Sequence, residues 1–271
     1  MAEQLTPDAA CSRIALGIEY DGSVFNGWQT QLNPHLRTVQ ETLEQALSRI
    51  AATPVTVICA GRTDAGVHAS GQVVHFDTSV ARPLKAWVHG TNTHLGRHVA
   101  VRWSHAVPAD FHARFSAQSR RYRYLISNTP VRPALYGAFI THHHAPLDAD
   151  RMHAAGQALL GEQDFTSFRA TGCQSRTPMR NVSELTVQRR GDLVIVEIEA
   201  NAFLLHMVRN IVGTLLAIGQ GDRPPCWAAE LLALCDRTKA APTAPPQGLS
   251  LVAVRYPQVY AIPEAASPIW P

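Results

Sequence analysis

Lysine is almost missing from this chain of 271 residues: Lys85 and Lys239 are the only two among 24 Lys+Arg side chains, and the rest are arginine. Arginine's planar fork suits phosphate and stacks on bases, so the bias favours an anionic partner over a codon preference alone. Long apolar runs are missing too. The longest charge-free apolar stretch, Ile211 to Ile218, is far short of the roughly 20 residues that a membrane-spanning helix needs. The opening MAEQLTPDAA has neither a basic segment nor an apolar one, so no secretory signal is expected. Cys-x-x-Cys does not occur. Five scattered cysteines (Cys11, Cys59, Cys173, Cys226, Cys235) predict reduced thiols in a cytoplasmic protein, not a disulfide framework or a zinc knuckle. Glycine and proline, 17 and 18 residues, have no period, which excludes a collagen-like fibre. A hydrophobic fraction of 46% and a net charge of +3 exclude a disordered chain. No G-x-G-x-x-G follows a strand, and G-x-x-x-x-G-K-[ST], G-x-S-x-G and H-E-x-x-H are absent. Dinucleotide, P-loop, serine-hydrolase and zincin readings lose their support.

Acid is also unevenly placed. Between residues 65 and 147 the only carboxylates are Asp77 and Asp110, against Arg82, Lys85, Arg97, Arg102, Arg114, Arg120, Arg121, Arg123 and Arg132. Most of the histidines lie there as well. A strongly positive stretch inside a nearly neutral chain is what a polyanion partner requires.

Hydrophobic periodicity predicts the elements. Ile14, Leu16, Ile18 and Tyr20 alternate as a strand. Thr38-Val-Gln-Glu41 is a capping box, and Val39, Leu43, Ala46, Leu47 and Ile50 form one helical stripe. Residues 55–59, 72–77 and 99–103 read as strands, with a weak helix from Pro83 to about Asn92. This β-α-β-β-α-β order is a split βαβ unit, an α+β arrangement with a mainly antiparallel sheet and helices on one face. A similar order follows. Tyr122 to Ile126 alternates. A helix is expected from N-cap Asp148 to C′ residue Gly161, and a hairpin turns at Arg190-Gly191-Asp192. A strong helix covers about Phe203 to Ile218, a shorter one Ala228 to Cys235, and a last strand Leu249 to Tyr256. The expected boundary divides the chain into 1–112, carrying Asp64, and 113–271, carrying Tyr122 and Arg209.

Three segments can carry chemistry. Gly61-Arg62-Thr63-Asp64-Ala65-Gly66-Val67-His68-Ala69 places a carboxylate between glycines, a loop that either admits a ligand close to the backbone or is a structural turn. In Arg120-Arg121-Tyr122-Arg123-Tyr124 the tyrosines share one face. They form either a base-stacking platform beside arginines or a strand with its tyrosines in the core. In Asn201 to Gly213, His206, Arg209, Asn210 and Gly213 cluster at helical spacing. An arginine on so apolar a helix needs a partner, and Asp64 is the most useful one. His142-His143-His144 alternates across a strand and cannot chelate as one site, so no metal is expected.

Together these segments resemble the tRNA pseudouridine synthase A family. The matching residues are Tyr20-Asp21-Gly22-Ser23…Gly27-Trp28-Gln29, Gly61 to Ala69, Ala113-Arg114-Phe115-Ser116-Ala117…Arg121-Tyr122-Arg123-Tyr124, Asn201-Ala202-Phe203…Met207-Val208-Arg209-Asn210 and Pro246-Gln247-Gly248-Leu249. Phe25 stands where the family often has tyrosine, and Leu205 where histidine is frequent. The resemblance implies two ferredoxin-like halves with a cleft between them. It also implies a cytoplasmic homodimer without cofactor or membrane, converting uridine to pseudouridine at positions 38, 39 and 40 of the tRNA anticodon stem-loop. By that resemblance Asp64 is the catalytic aspartate, Tyr122 stacks on the target base and Arg209 pairs with Asp64. Arg62 contacts RNA and helps to hold the vacated position, while Phe203 and Leu249 are further substrate-binding residues.

The residue types suit the reaction. The C1′–N1 bond breaks and a C1′–C5 bond forms, so the nucleotide must leave its stem. Stacking on an aromatic is worth about 1–3 kcal/mol per base toward that cost. An ionised carboxylate can attack C1′, assist loss of a 2′ proton to give a glycal, or attack C6. A non-catalytic RNA-binding module and a metal-dependent hydrolase remain the competing readings.

Overall fold

The computed structural model describes residues 12–264 except Leu32 and Pro34. Cys11 and the opening segment read for a secretory signal lie outside the described residues. The strands are β1 (Ser12–Tyr20), β2 (Ile58–Cys59), β3 (His68–Thr78), β4 (Val99–Val107), β5 (Ser119–Ser127), β6 (Thr141–His142), β7 (Gly161–Asp164), β8 (Met179–Arg190), β9 (Leu193–Ala200) and β10 (Leu249–Arg255). The helices are α1 (Val39–Ala51), α2 (Thr91–His94), α3 (Ala149–Gln157), α4 (Met207–Gly219) and α5 (Trp227–Leu234).

All strands join one sheet in the order β4-β1-β3-β10-β5-β9-β8-β7, with β2 beside β3 and β6 beside β5. Pairing is antiparallel except for β10 on β3 and β6 on β5. The last strand therefore closes the middle of the sheet. Ser250 and Leu251 pair with His68 and Ala69, and on its other side β10 runs antiparallel to β5, Leu251 opposite Tyr122. That insertion carries the loop before β10 to the strands that flank the cleft described below. Helices α1, α3 and α4 cover one face and share one apolar cluster, which includes Leu43, Leu47, Met152, Ile211 and Leu215 with Tyr20, Tyr122 and Tyr124. A smaller cluster on the other face gathers Ala15, Val73, Val107 and Phe111. Among the described residues no helix is long and apolar enough to cross a membrane.

Local signals explain most boundaries. Thr38 accepts from the Glu41 N–H at 3.4 Å, and Asp148 accepts from the Arg151 N–H at 2.9 Å, so both expected N-caps form. The weak helix expected from Pro83 to about Asn92 forms, with a π-helical stretch over Ala86–Gly90 running into α2, and Thr91 and Trp87 are buried. Two expectations need correction. Helix α3 ends at Gln157, and Gly161 (φ 87°) opens β7 instead of capping the helix. Helix α4 starts at Met207, four residues later than Phe203, because His206 adopts a left-handed backbone (φ 58°, ψ 8°) that no helix interior accepts.

Candidate active site

Asp64 lies in the loop 60–67 between β2 and β3, and its position follows from how that loop is tied. The Val67 N–H closes a turn on the Asp64 carbonyl at 3.1 Å, and the Trp28 N–H donates to the Thr63 carbonyl at 3.0 Å. Tyr20 and Thr63 hydroxyls meet at 2.7 Å, and the buried Gln72 amide donates to the Gly61 carbonyl at 2.6 Å. The segment 21–28 lies directly on the loop. A Cβ on Gly22 would fall 1.9 Å from the Val67 carbonyl oxygen, so only glycine permits this approach. The first family-like segment is thus a support for the second.

Arg209 enters from α4. Its Nη1 donates to Asp64 Oδ2 at 3.1 Å and its Nε to the Ala244 carbonyl at 2.8 Å. The Ala244 N–H returns to the Arg209 carbonyl at 3.1 Å. Gly213, one turn further on, lets the loop 240–246 lie against the helix, since a Cβ there would sit 2.1 Å from the Pro242 carbonyl oxygen. The helix face read from the sequence therefore divides its work. Arg209 and Gly213 grip the Pro-rich loop. Asn210, fully buried, bonds the Phe168 carbonyl and the Arg237 and Thr243 side chains. His206 turns to Asp64, its Nε2 3.4 Å from Oδ2.

Tyr122 projects from β5 into the same cleft and meets Phe203 edge-on, ring centroids 5.0 Å apart. It is 8% exposed, and its hydroxyl has no hydrogen-bond partner among the described residues. Burial pushes the titration of this phenol up, and the Asp64 charge adds to that. The ring therefore presents a hydrogen-bond donor, not a phenolate. Leu249 at the start of β10 and the exposed Arg62 complete the lining with Arg114, Arg120 and Cys173, around a cleft of about 590 Å³. Beneath it, burial pushes the Cys59 thiol up to about 12, against the opposing pull of Arg62.

The arginine-rich strand contributes less charge to this cleft than its sequence suggests. Arg121 pairs with Glu184 and Glu199, and Arg123 with Glu197 at 2.8 Å, on the sheet face away from Tyr122. Arg120 is buried and holds three segments together. It donates to the Ala60 carbonyl at 3.0 Å, the Asn201 carbonyl at 2.9 Å and the Arg114 carbonyl at 2.5 Å. Its role escaped sequence reasoning, since a strand-borne arginine normally faces water.

A second cavity of about 640 Å³ lies on the opposite face, lined by Arg97, His98, Arg102, Trp103 and Arg123. Its acids are Asp21, engaged by His98 and Ser23, Glu19, 3.5 Å from Arg102, and Glu264. His142 is held by the Thr129 carbonyl at 2.7 Å, and no three His, Cys, Asp or Glu residues gather at metal-binding spacing among the described residues.

The sequence model of the family described as tRNA pseudouridine synthase matches residues 17–116 and 155–257. The chain is 58% identical over 259 residues to the tRNA pseudouridine synthase A of Idiomarina loihiensis, covering 95% of this chain and 98% of that protein. It is also 58% identical over 264 residues to the proteins of the same name from Escherichia coli O9:H4 strain HS and E. coli strain ATCC 8739, covering 97% of this chain and 96% of each.

Proposed function

The chain belongs to the tRNA pseudouridine synthase family, and from there we propose that it isomerises uridine to pseudouridine at positions 38, 39 and 40 of the tRNA anticodon stem-loop. It acts as a cytoplasmic homodimer without a cofactor, and its cleft runs between a half formed by residues 1–112 and a half formed by 113–271. The observation that carries this reading is the ion pair between Arg209 and Asp64, 3.1 Å long, in a cleft shared with Tyr122 and Phe203.

A target uridine swings out of its stem and stacks against Tyr122, with Leu249 and Phe203 closing the apolar sides. Arg62 at the rim meets the RNA and helps to fill the vacated place. The side chain of Asp64 is 27% exposed and that of Arg209 is 14% exposed, so the carboxylate is accessible to the sugar while its cationic partner is largely shielded from water. Such a pair holds the carboxylate in place at the cleft. Attack on C1′, removal of a 2′ proton and attack on C6 are all open to a carboxylate so placed. Once the C1′–N1 bond opens, the apolar walls keep the uracil from escaping while C5 turns toward C1′.

A non-catalytic RNA-binding module is disfavoured by Asp64 itself. A carboxylate set among Arg62, Arg114 and Arg209 repels phosphate and weakens simple RNA binding. The test is a tRNA substrate carrying tritium at C5 of uridine. Tritium is expected to pass to water with wild-type protein, in excess chelator too, and not with Asp64→Asn. Full release by Asp64→Asn, or none by wild-type protein, would overturn the reading.

A further inference from the structure

Asp64 has two oxygens, and the protein treats them differently. Arg209 Nη1 and His206 Nε2 both approach Oδ2, at 3.1 and 3.4 Å. No described residue hydrogen-bonds Oδ1. We infer that His206 is a positioning residue for the catalytic carboxylate. With Arg209 it clamps Oδ2, fixes the plane of the carboxylate, and reserves Oδ1 as the oxygen that meets the nucleoside. The inference rests on the reading of Asp64 as the reacting group.

Backbone conformation adds a second observation to that distance. His206 sits at φ 58°, ψ 8°, in the left-handed region where glycine or asparagine is the comfortable residue. Its side chain does not cap helix α4. It is not core packing either, since about a third of it is exposed. Among the described residues the imidazole has no other hydrogen bond or ion pair. The neighbouring chain holds it in this conformation: the Ala170 N–H donates to the Leu205 carbonyl at 3.0 Å, and the Leu205 N–H to Cys173 Sγ at 3.4 Å. A strained backbone fixed by tertiary contacts, bearing a ring whose one polar contact is the reacting acid, belongs to the group of over-determined conformations found at active sites.

The chemistry follows. His206 Nε2 stands 3.4 Å from Oδ2 on one side while Arg209 donates to it from another. Two contacts from different segments restrain the carboxylate from rotating about its last bond. A reacting oxygen held within a fraction of an ångström speeds the chemical step without tightening substrate binding. His206 therefore acts on kcat and not on tRNA affinity.

Three variants test this with the tritium-release substrate under single turnover, alongside filter binding of the same tRNA and thermal melting. His206→Asn and His206→Gly suit the left-handed backbone but are too short to reach Oδ2. His206→Gln has the reach and an N–H to offer. The expected result for the short variants is melting at or above the wild-type temperature, tRNA affinity within about twofold, and a chemical step slowed about 10- to 50-fold. His206→Gln recovers most of that loss. Wild-type rates in the short variants overturn the positioning role. So does weakened tRNA binding with an unchanged chemical step, which makes His206 a substrate contact. A wild-type protein that releases no tritium removes the functional reading itself, a result distinct from either.

Discussion

Replacing Arg209 with methionine isolates the contribution of one guanidinium. Methionine keeps much of the aliphatic length, so the packing of α4 survives, and the backbone bond from the Ala244 N–H to the Arg209 carbonyl is untouched. Two interactions disappear: Nη1 to Asp64 Oδ2 at 3.1 Å and Nε to the Ala244 carbonyl at 2.8 Å. Removing one partner of a fully buried pair costs about 3–5 kcal/mol, and exposed pairs are worth about 0–1 kcal/mol. This pair lies between those limits, with Asp64 27% exposed and Arg209 14% exposed. An effect of about 2–3 kcal/mol follows, or about 30- to 200-fold in rate. It appears in the single-turnover constant for tritium release, because an unanchored carboxylate loses its orientation. Arg209→Lys keeps a charge, but one ammonium cannot hold Ala244 and Asp64 together. Its loss is expected to be about tenfold. If Arg209→Met, folded by its melting curve, reacts within threefold of wild type, the arginine is not what readies the acid.

The other predictions concern stability, charge and fit. His75 accepts the Ala113 N–H on Nδ1 at 3.1 Å, and burial first, then the positive Arg13, lowers its titration from near 6.5 to about 4. The folded protein thus keeps a neutral ring where the unfolded chain takes a proton. Stability is full above pH 6.5 and falls toward pH 4, by about 2–3 kcal/mol for this group. Melting temperatures across that range should drop less in His75→Asn; an unchanged slope refutes the assignment. In tRNA binding, Arg62→Ala should reduce the slope of log affinity against log salt by about one, while Arg123→Gln, whose charge is already matched by Glu197, should leave it unchanged. Equal effects from the two would return the whole arginine strand to the RNA surface. Gly22→Ala forces the 21–28 segment off the Asp64 loop, and a loss of about 2–3 kcal/mol in chemical denaturation should accompany reduced tritium release. Wild-type stability and activity in that variant would mean that the two loops are not mutually supporting.

How much of this was legible in the sequence depends on whether the deciding force was local. The alternation at Ile14 to Tyr20, the Thr38 cap, and the hairpin turning at Gly191 (φ 58°) are set by side chains within a few residues, and each formed as its pattern indicates. The start of α4 was not legible, because Phe203, Leu204 and Leu205 are all helix-permissive. What stops the helix is the anchoring of residue 205 by Ala170 and Cys173, more than thirty residues away in the chain. The place of β10 was hidden for the same reason. Its alternation marks a strand, but nothing in it says that it will lie parallel to β3 in the middle of the sheet.

The candidate site follows the same division, and this explains which parts a motif can carry. The approach of Arg209 to Asp64 was foreseeable in part from an energetic argument, since a charge on an apolar helix needs a counter-charge, and the choice of Asp64 came from the family resemblance. Arg120 shares the strand face of Tyr122 and Tyr124, but alternation assigns a face and not what covers that face. In the structure the Asp64 loop, the Arg114 turn and the Asn201 turn converge on it and supply the carbonyl oxygens for its guanidinium. Arg121 and Arg123 likewise look available until Glu184, Glu197 and Glu199 are seen to stand across from them on β8 and β9. A charge count along a strand measures the field of an isolated segment. The field that a substrate meets is what remains after neighbouring strands have neutralised their share.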